Sequence, residues 1–422
     1  FSSCVATRIM MHLSRRTRVW RGIFQQGSRK YFSAVAGKSS SDDFDSAAYV
    51  KAKAIDLSVD LRSSSPGDLI YVPYELTVSE SMHDFWQSAF HSQDRIHTST
   101  PFARKIGLQD RMLPFSLVSF LTSSMTHADA ALVQVALDNA IYHWPAFAGD
   151  TFKKSFQVKS VRNTSDGNHT VINFACELSN QRGRVCMSLD KRMMFPFVVP
   201  LATHDSAPFD NPSHHTYQLL RDHVLSKAQV LSSLGSQSLA RLRPQQTVLH
   251  SMHRSLSLSQ SQQLASLAKL THERHFDIRK YDPKTEILVP GGLVLGLVLS
   301  ATSRDLHEVL HEELHHVSYI NPVHPGDVIG AITYVHNIDD TIATGNLECL
   351  TVTTIGVKNM EARDLESASN KLPLDLFSQS NSLPKQIERI CKEKCPLLSH
   401  RIVVQVTRKI IRQTRRQDIF LL

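Results

Sequence analysis

"PGDLIYVPYELTVSESMHDFWQSAFHSQDRIH" (residues 66–97) can be laid over "PQQTVLHSMHRSLSLSQSQQLASLAKLTHERH" (residues 244–275) without a gap, at an offset of 178. Proline opens both, "TVS" stands over "SLS", and His97 stands over His275. The register continues downstream. "PAFAGDTF" (residues 145–152) matches "PVHPGDVI" (residues 322–329) at an offset of 177. A Gly-Asn pair then recurs as Gly167-Asn168 and Gly345-Asn346, each before a β-patterned run, "TVINFACEL" and "LECLTVTTIGV". Ordered anchors at nearly constant spacing mark an internal duplication.

Each copy reads as a first strand, a short helical stretch, a His segment, a buried helix and several antiparallel strands. Pro-Gly-Asp before a β run is turn chemistry followed by a strand. "GGLVLGLVLSAT" (residues 291–302) is apolar all round, which marks an element enclosed on every side. It is too short to span a membrane. One apolar helix wrapped by a curved antiparallel sheet is the hotdog arrangement. The fold expected is therefore α+β: two hotdogs joined through one continuous, pseudo-dimeric sheet, with one long central helix each.

The first copy is expected over residues 60–197. Residues 198–240 read as a polar connection with a helix near "YQLLRDHVLSKAQVL". The second copy is expected over 241–422, ending in "HRIVVQVTRKIIRQ", the counterpart of "RVCMSLDKRMMF". The copies differ before their last strands. "SNQRG" suffices in the first, whereas about forty residues (358–398) intervene in the second, too many for a simple loop, and are expected outside the sheet.

The formal net charge is +8. Residues 1–41 hold eight of the Arg and Lys residues (Arg8, Arg15, Arg16, Arg18, Arg21, Arg29, Lys30, Lys38) and no Asp or Glu. Without them the remainder is near neutral, so no basic field is left to attract a nucleic acid. An Arg- and Ser-rich leader without acids has the composition of a mitochondrial transit peptide, so localisation to the mitochondrial matrix is expected. Six cysteines show no zinc-type pairing, consistent with reduced thiols. "HEELH" (residues 311–315) fits the zincin pattern formally, but no third ligand motif follows, and a charged helix end is the expected setting. No metal site is expected.

"THERHFD" (residues 271–277), the stretch before it, the Pro-Gly-Gly at Pro290 and "INPVHPGDVI" together resemble the MaoC-like double-hotdog hydratases, most nearly the mesaconyl-CoA hydratase (β-methylmalyl-CoA dehydratase) group. The resemblance implies reversible hydration of a 2-enoyl thioester, on CoA or a carrier protein, without metal or other cofactor. It also implies a monomer in which the two copies pair, or a homodimer. His275 matches the family's catalytic histidine, and His97 is its equivalent in the first copy. Histidine suits proton transfer at neutral pH. Gly291 and Gly292 at the start of the buried helix would let a thioester approach backbone N–H groups, whose fixed dipoles suit an oxyanion. The first copy has Phe115 and Ser116 there, which favours the second copy as the oxyanion-holding half.

One departure matters. The broader family carries an Asp five residues before the His, and those positions are Leu270 and Ser92 here. The resembled group departs at the same point. Replacement partners for His275 are Asp277, which would share its face on an extended strand, and His272. The alternative reading is a catalytically degenerate hotdog protein that binds acyl groups or acts as a structural subunit. A thioesterase is the third reading.

Overall fold

The computed structural model describes residues 61–414 apart from 73, 126–128, 200–218, 237–241, 340–345, 362–363, 366–371 and 379–382. The basic leader lies outside the described residues. Short strands β1 (Leu69–Tyr71) and β2 (Leu76–Thr77) precede helix α1 (Glu80–Phe90), the short helices α2 (Arg95–Thr98) and α3 (Thr100–Lys105), and helix α4 (Phe115–Ser123). Four long strands complete the first copy: β3 (Val133–Tyr142), β4 (Thr151–Asn163), β5 (Thr170–Asn180) and β6 (Val185–Phe195). The helix expected in the connection is two, α5 (Leu219–Ser226) and α6 (Ala228–Leu234), broken at Lys227. The second copy repeats the plan with β7 (Thr247–Leu249), α7 (Leu258–Leu267), a 3-10 turn at Glu273–His275, α8 (Gly291–Thr302), β8 (Val309–Tyr319), β9 (Ile329–Ile338), β10 (Leu347–Lys358), α9 (Pro384–Lys394) and β11 (Ile402–Gln413).

The duplication is visible in matched local chemistry. Ser79 caps α1 by accepting from the Met82 N–H, and Ser257 caps α7 through a full capping box with Gln260. Asp150 accepts from the Phe147 N–H and Asp327 from the His324 N–H, both at 2.9 Å. Within these turns Gly149 and Gly326 share a φ of +91°, which a side chain would strain. Their N–H groups donate to Val78 and Leu256 at 2.7 and 2.8 Å. Each turn is thereby tied to the residue that precedes its copy's cap.

The strands form one eleven-stranded sheet in the order β1-β4-β5-β6-β3-β8-β11-β10-β9-β7, with β2 on β4. The second half mirrors the first. The copies meet where β3 pairs antiparallel with β8, setting Leu137 opposite Val317 and Asp138 opposite His316. The fold class expected from the sequence, α+β with two hotdogs, is the one observed. Strand alternation gives the sheet its two faces: Phe152, Phe156 and Val158 of β4 face the helices, while Lys153, Ser155 and Gln157 face away. Both central helices are buried, although α4 has only nine residues and so is not long. They share a single apolar core with both halves of the sheet, which includes Leu117, Phe120, Leu293 and Leu297.

Two expectations about β8 and the insertion resolve here. "HEELH" is not a helix end; it lies within strand β8. On a strand, side chains four residues apart share a face but stand about 13 Å apart, too far to grip one ion. Among the described residues no group of three or more His, Cys, Asp or Glu could hold a metal. The inserted residues form a separate apolar layer. Phe377, Ile387, Ile390, Cys391 and Leu398 pack on Ile332, Ile355 and Ile402 of the strands, apart from the core that holds the helices. No described helix is long and apolar enough to cross a membrane.

Candidate functional site

Each buried helix begins after a proline, Pro114 for α4 and Pro290 for α8. Two residues before each proline a backbone carbonyl accepts from a histidine. His97 Nδ1 bonds the Met112 carbonyl at 2.9 Å, and His275 Nδ1 bonds the Leu288 carbonyl at 2.8 Å. A carbonyl accepts only, so each Nδ1 carries the proton and each Nε2 is left with its lone pair. Burial pushes both imidazoles down to about 4, which keeps them neutral at pH 7. The first two N–H groups of each helix, on Phe115 and Ser116 or Gly291 and Gly292, have no intrahelical acceptor to reach. The sequence paired His97 with His275, and the structure gives them the same tautomer and the same place.

Their surroundings differ. The charges that act most on His275 are His272, Arg274 and Lys191, and none is a carboxylate. His272 spends both nitrogens. Its Nδ1 accepts from the Arg274 N–H at 3.1 Å, and its Nε2 donates to the Ala131 carbonyl at 2.8 Å. Asp277 does not reach His275 as an extended strand would have allowed. The segment winds into a 3-10 turn, and the Asp277 carboxylate accepts from the Arg279 backbone and pairs with its guanidinium at 3.0 Å. Those bonds hold Asp277 at about 2.

Gly291 and Gly292 have a second use. A side chain at Gly292 would run into the Phe120 ring, and one at Gly291 would come within 3.2 Å of the Tyr319 ring. The space they leave is therefore filled by the protein itself, and α4 and α8 approach closely because of it. That weakens the contrast with Phe115 and Ser116 on which the preference for the second copy rested.

In the first copy an acidic residue that the sequence reading passed over shares a cavity with the histidine. Asp94 precedes His97 by three residues and caps α2, yet its side chain makes no bond to its own helix. It reaches across to the second copy and accepts from the Val309 N–H at 2.9 Å. Burial drives the Asp94 carboxyl up to about 8, and Glu312 and Glu308 push it further against the Val309 hydrogen bond. Asp94 and His97 line one cavity of about 50 Å³, together with Ser92, Pro114, Phe115 and Ser116 of the first copy. Ser300, Glu312 and Arg408 of the second copy close it. The signal for Asp94 was its i,i+3 spacing from His97, one helical turn rather than the five-residue spacing of the resembled family.

The segment is anchored across the copy boundary by Arg95. Its guanidinium grips Glu308 through contacts of 2.7 to 3.1 Å and lies over the Phe102 ring. A neutral imidazole with a free nitrogen, a protonated carboxyl and a helix start lining one cavity can take a proton at one atom and give one at another.

No protein-family model matches the chain, and no curated protein sequence matches it. Solved structures do. A MaoC domain protein dehydratase from Chloroflexus aurantiacus superposes with a TM-score of 0.67 at 16% identity, covering 86% of this chain and all of the other. A conserved hypothetical protein of Mycobacterium tuberculosis, described as having a double hotdog fold, gives 0.56 at 16% identity, covering 84% of this chain and 99% of the other. A MaoC-like dehydratase gives 0.51 at 12% identity, covering 83% and 98%. Identities this low speak to architecture: the chain has the double hotdog fold.

Proposed function

We propose that the chain is a hydro-lyase that reversibly hydrates a 2-enoyl thioester to the 3-hydroxyacyl thioester at the first-copy site. The observation that carries this reading is the meeting of Asp94 and His97 in one cavity at the start of α4. In the hydration direction His97 Nε2 takes a proton from water, and the water oxygen bonds to the β-carbon. The π electrons move onto the thioester as an enolate, and the α-carbon takes the proton of the Asp94 carboxyl. Proton return from His97 to Asp94 resets the pair. The uncommitted N–H groups of Phe115 and Ser116 are placed to stabilise the enolate oxygen. The acyl carrier is CoA or a carrier protein, and the compartment proposed from the leader is the mitochondrial matrix.

The size of the cavity favours a second reading. About 50 Å³ takes water and not an acyl chain, as a catalytically degenerate acyl-binding or structural subunit would allow. Purified protein assayed with crotonyl-CoA and mesaconyl-CoA decides between them. Loss of the enoyl absorbance that requires both Asp94 and His97 supports the hydro-lyase. No turnover with either ester supports the subunit, and release of free thiol indicates a thioesterase.

A further inference from the structure

The copy boundary contributes polar groups that the acid–base pair does not use. Among the described residues the Ser300 hydroxyl on α8 is buried without a hydrogen-bond partner, and so is Nε of Arg408 on β11. Both residues line the cavity that holds Asp94 and His97. The rest of the Arg408 guanidinium is committed: one amino group donates to Glu312 at 2.6 Å and the other to Thr302 Oγ1 at 3.0 Å. Arg408 is thus held in place while its Nε–H is left unpartnered. Leaving a buried donor unpaired is costly, and buried polar groups in native proteins nearly always find protein or ordered water. A cavity of about 50 Å³ has room for roughly three to five waters at 10–15 Å³ each.

We propose that this cavity is a water compartment built by both copies, in which Ser300 and Arg408 of the second copy position the water that reacts at His97 of the first. Ser300 can donate and accept, Arg408 Nε donates only, and His97 Nε2 accepts only. A chain of water from Arg408 through Ser300 to His97 therefore has a fixed direction, with one water left facing the base. Ser300 and Arg408 are positioning residues, since they act through water. The role in delivery rests on the hydro-lyase reading, whereas the water compartment itself does not.

The test has two arms. A crystal structure of the full chain, at a resolution sufficient to place ordered water, is expected to show water bonded to Ser300 Oγ and to Arg408 Nε. A cavity without such density overturns the compartment, whatever the activity. In Ser300→Val the added methyl groups fill the cavity and remove an unpartnered hydroxyl, so folding is retained. Its kcat is expected to fall about a hundredfold while KM holds, and Ser300→Ala, which leaves room for water, should fall less. Wild-type kcat in Ser300→Val overturns the delivery role. If wild type itself turns over no enoyl thioester, the functional reading fails and the compartment is decided by the density alone.

Discussion

Asp94 and His97 stand one helical turn apart on the wall of the same cavity, and burial moves their proton affinities in opposite directions. The carboxyl rises to about 8 and the imidazole falls to about 4. Over the interval between those values the acid keeps its proton and the base lacks one, the state that the proposed reaction needs.

The pH profile of kcat/KM should therefore be a plateau, falling on the acid side near 4 as His97 gains a proton and on the alkaline side near 8 as Asp94 loses one. Asp94→Asn should abolish turnover without removing the neutral His97. Stability follows a separate sign. Unfolded Asp94 is charged above its ordinary value while the folded group stays protonated, so this residue lowers stability as pH rises from about 3.8 towards 8. Unfolded His97 is protonated below 6.5 while the folded ring is neutral, so this residue lowers stability as pH falls from 6.5 towards 4. Urea titrations of wild type and of the Asp94→Asn and His97→Gln variants at several pH values would test both slopes. Identical pH dependence in all three would exclude the assignment.

Replacing His97 by Ala should cut turnover at least about a hundredfold, the ordinary loss for a general base. His275→Ala should cost less, because no carboxylate is among the charges that act most on His275. Steady-state rates with crotonyl-CoA discriminate the two. The opposite ranking would move the chemistry to the second copy.

Gly292→Ala should destabilise the protein by about 1–3 kcal/mol, because the new methyl group overpacks against Phe120. Phe120→Leu should recover part of the loss in the double variant. Chemical denaturation measures both. A neutral Gly292→Ala would mean that α4 and α8 can separate freely.

The buried pair of Arg412 and Glu348, joined at 2.8 Å, ties β11 to β10 within the sheet. Arg412→Met should cost about 3–5 kcal/mol by stranding the carboxylate, while Arg412→Met with Glu348→Leu should restore much of it. The two Tm values give the comparison. A single variant no less stable than the double would refute it.

Much of the architecture was legible in the sequence because duplication repeats its punctuation. Ser79 and Ser257, Gly149 and Gly326, and Pro114 and Pro290 are local signals that need no tertiary knowledge. The site was only half legible. His97 and His275 were found by register, but Asp94 was missed because its role depends on a strand 215 residues away, through Val309. Asp277 was read on an extended backbone, whereas the 3-10 turn at Glu273–His275 sends it to Arg279. The "HEELH" stretch carries helical spacing by chance, and the ladder of β8 with β3 and β11 overrides it. Gly291 and Gly292 looked like room for a ligand, and only the opposing rings of Phe120 and Tyr319 show who uses that room.

The pairing of β3 with β8 joins within one chain what would otherwise be a contact between molecules. Two separate hotdogs would part on dilution, and a cavity walled by both would vanish with them. Here the partner travels on the same chain, so the cavity at His97 persists at any protein concentration. The covalent link also frees the halves from identity: the position of Asp94 is held by His272 in the second copy, and the insertion on the outer face of one half has no twin on the other.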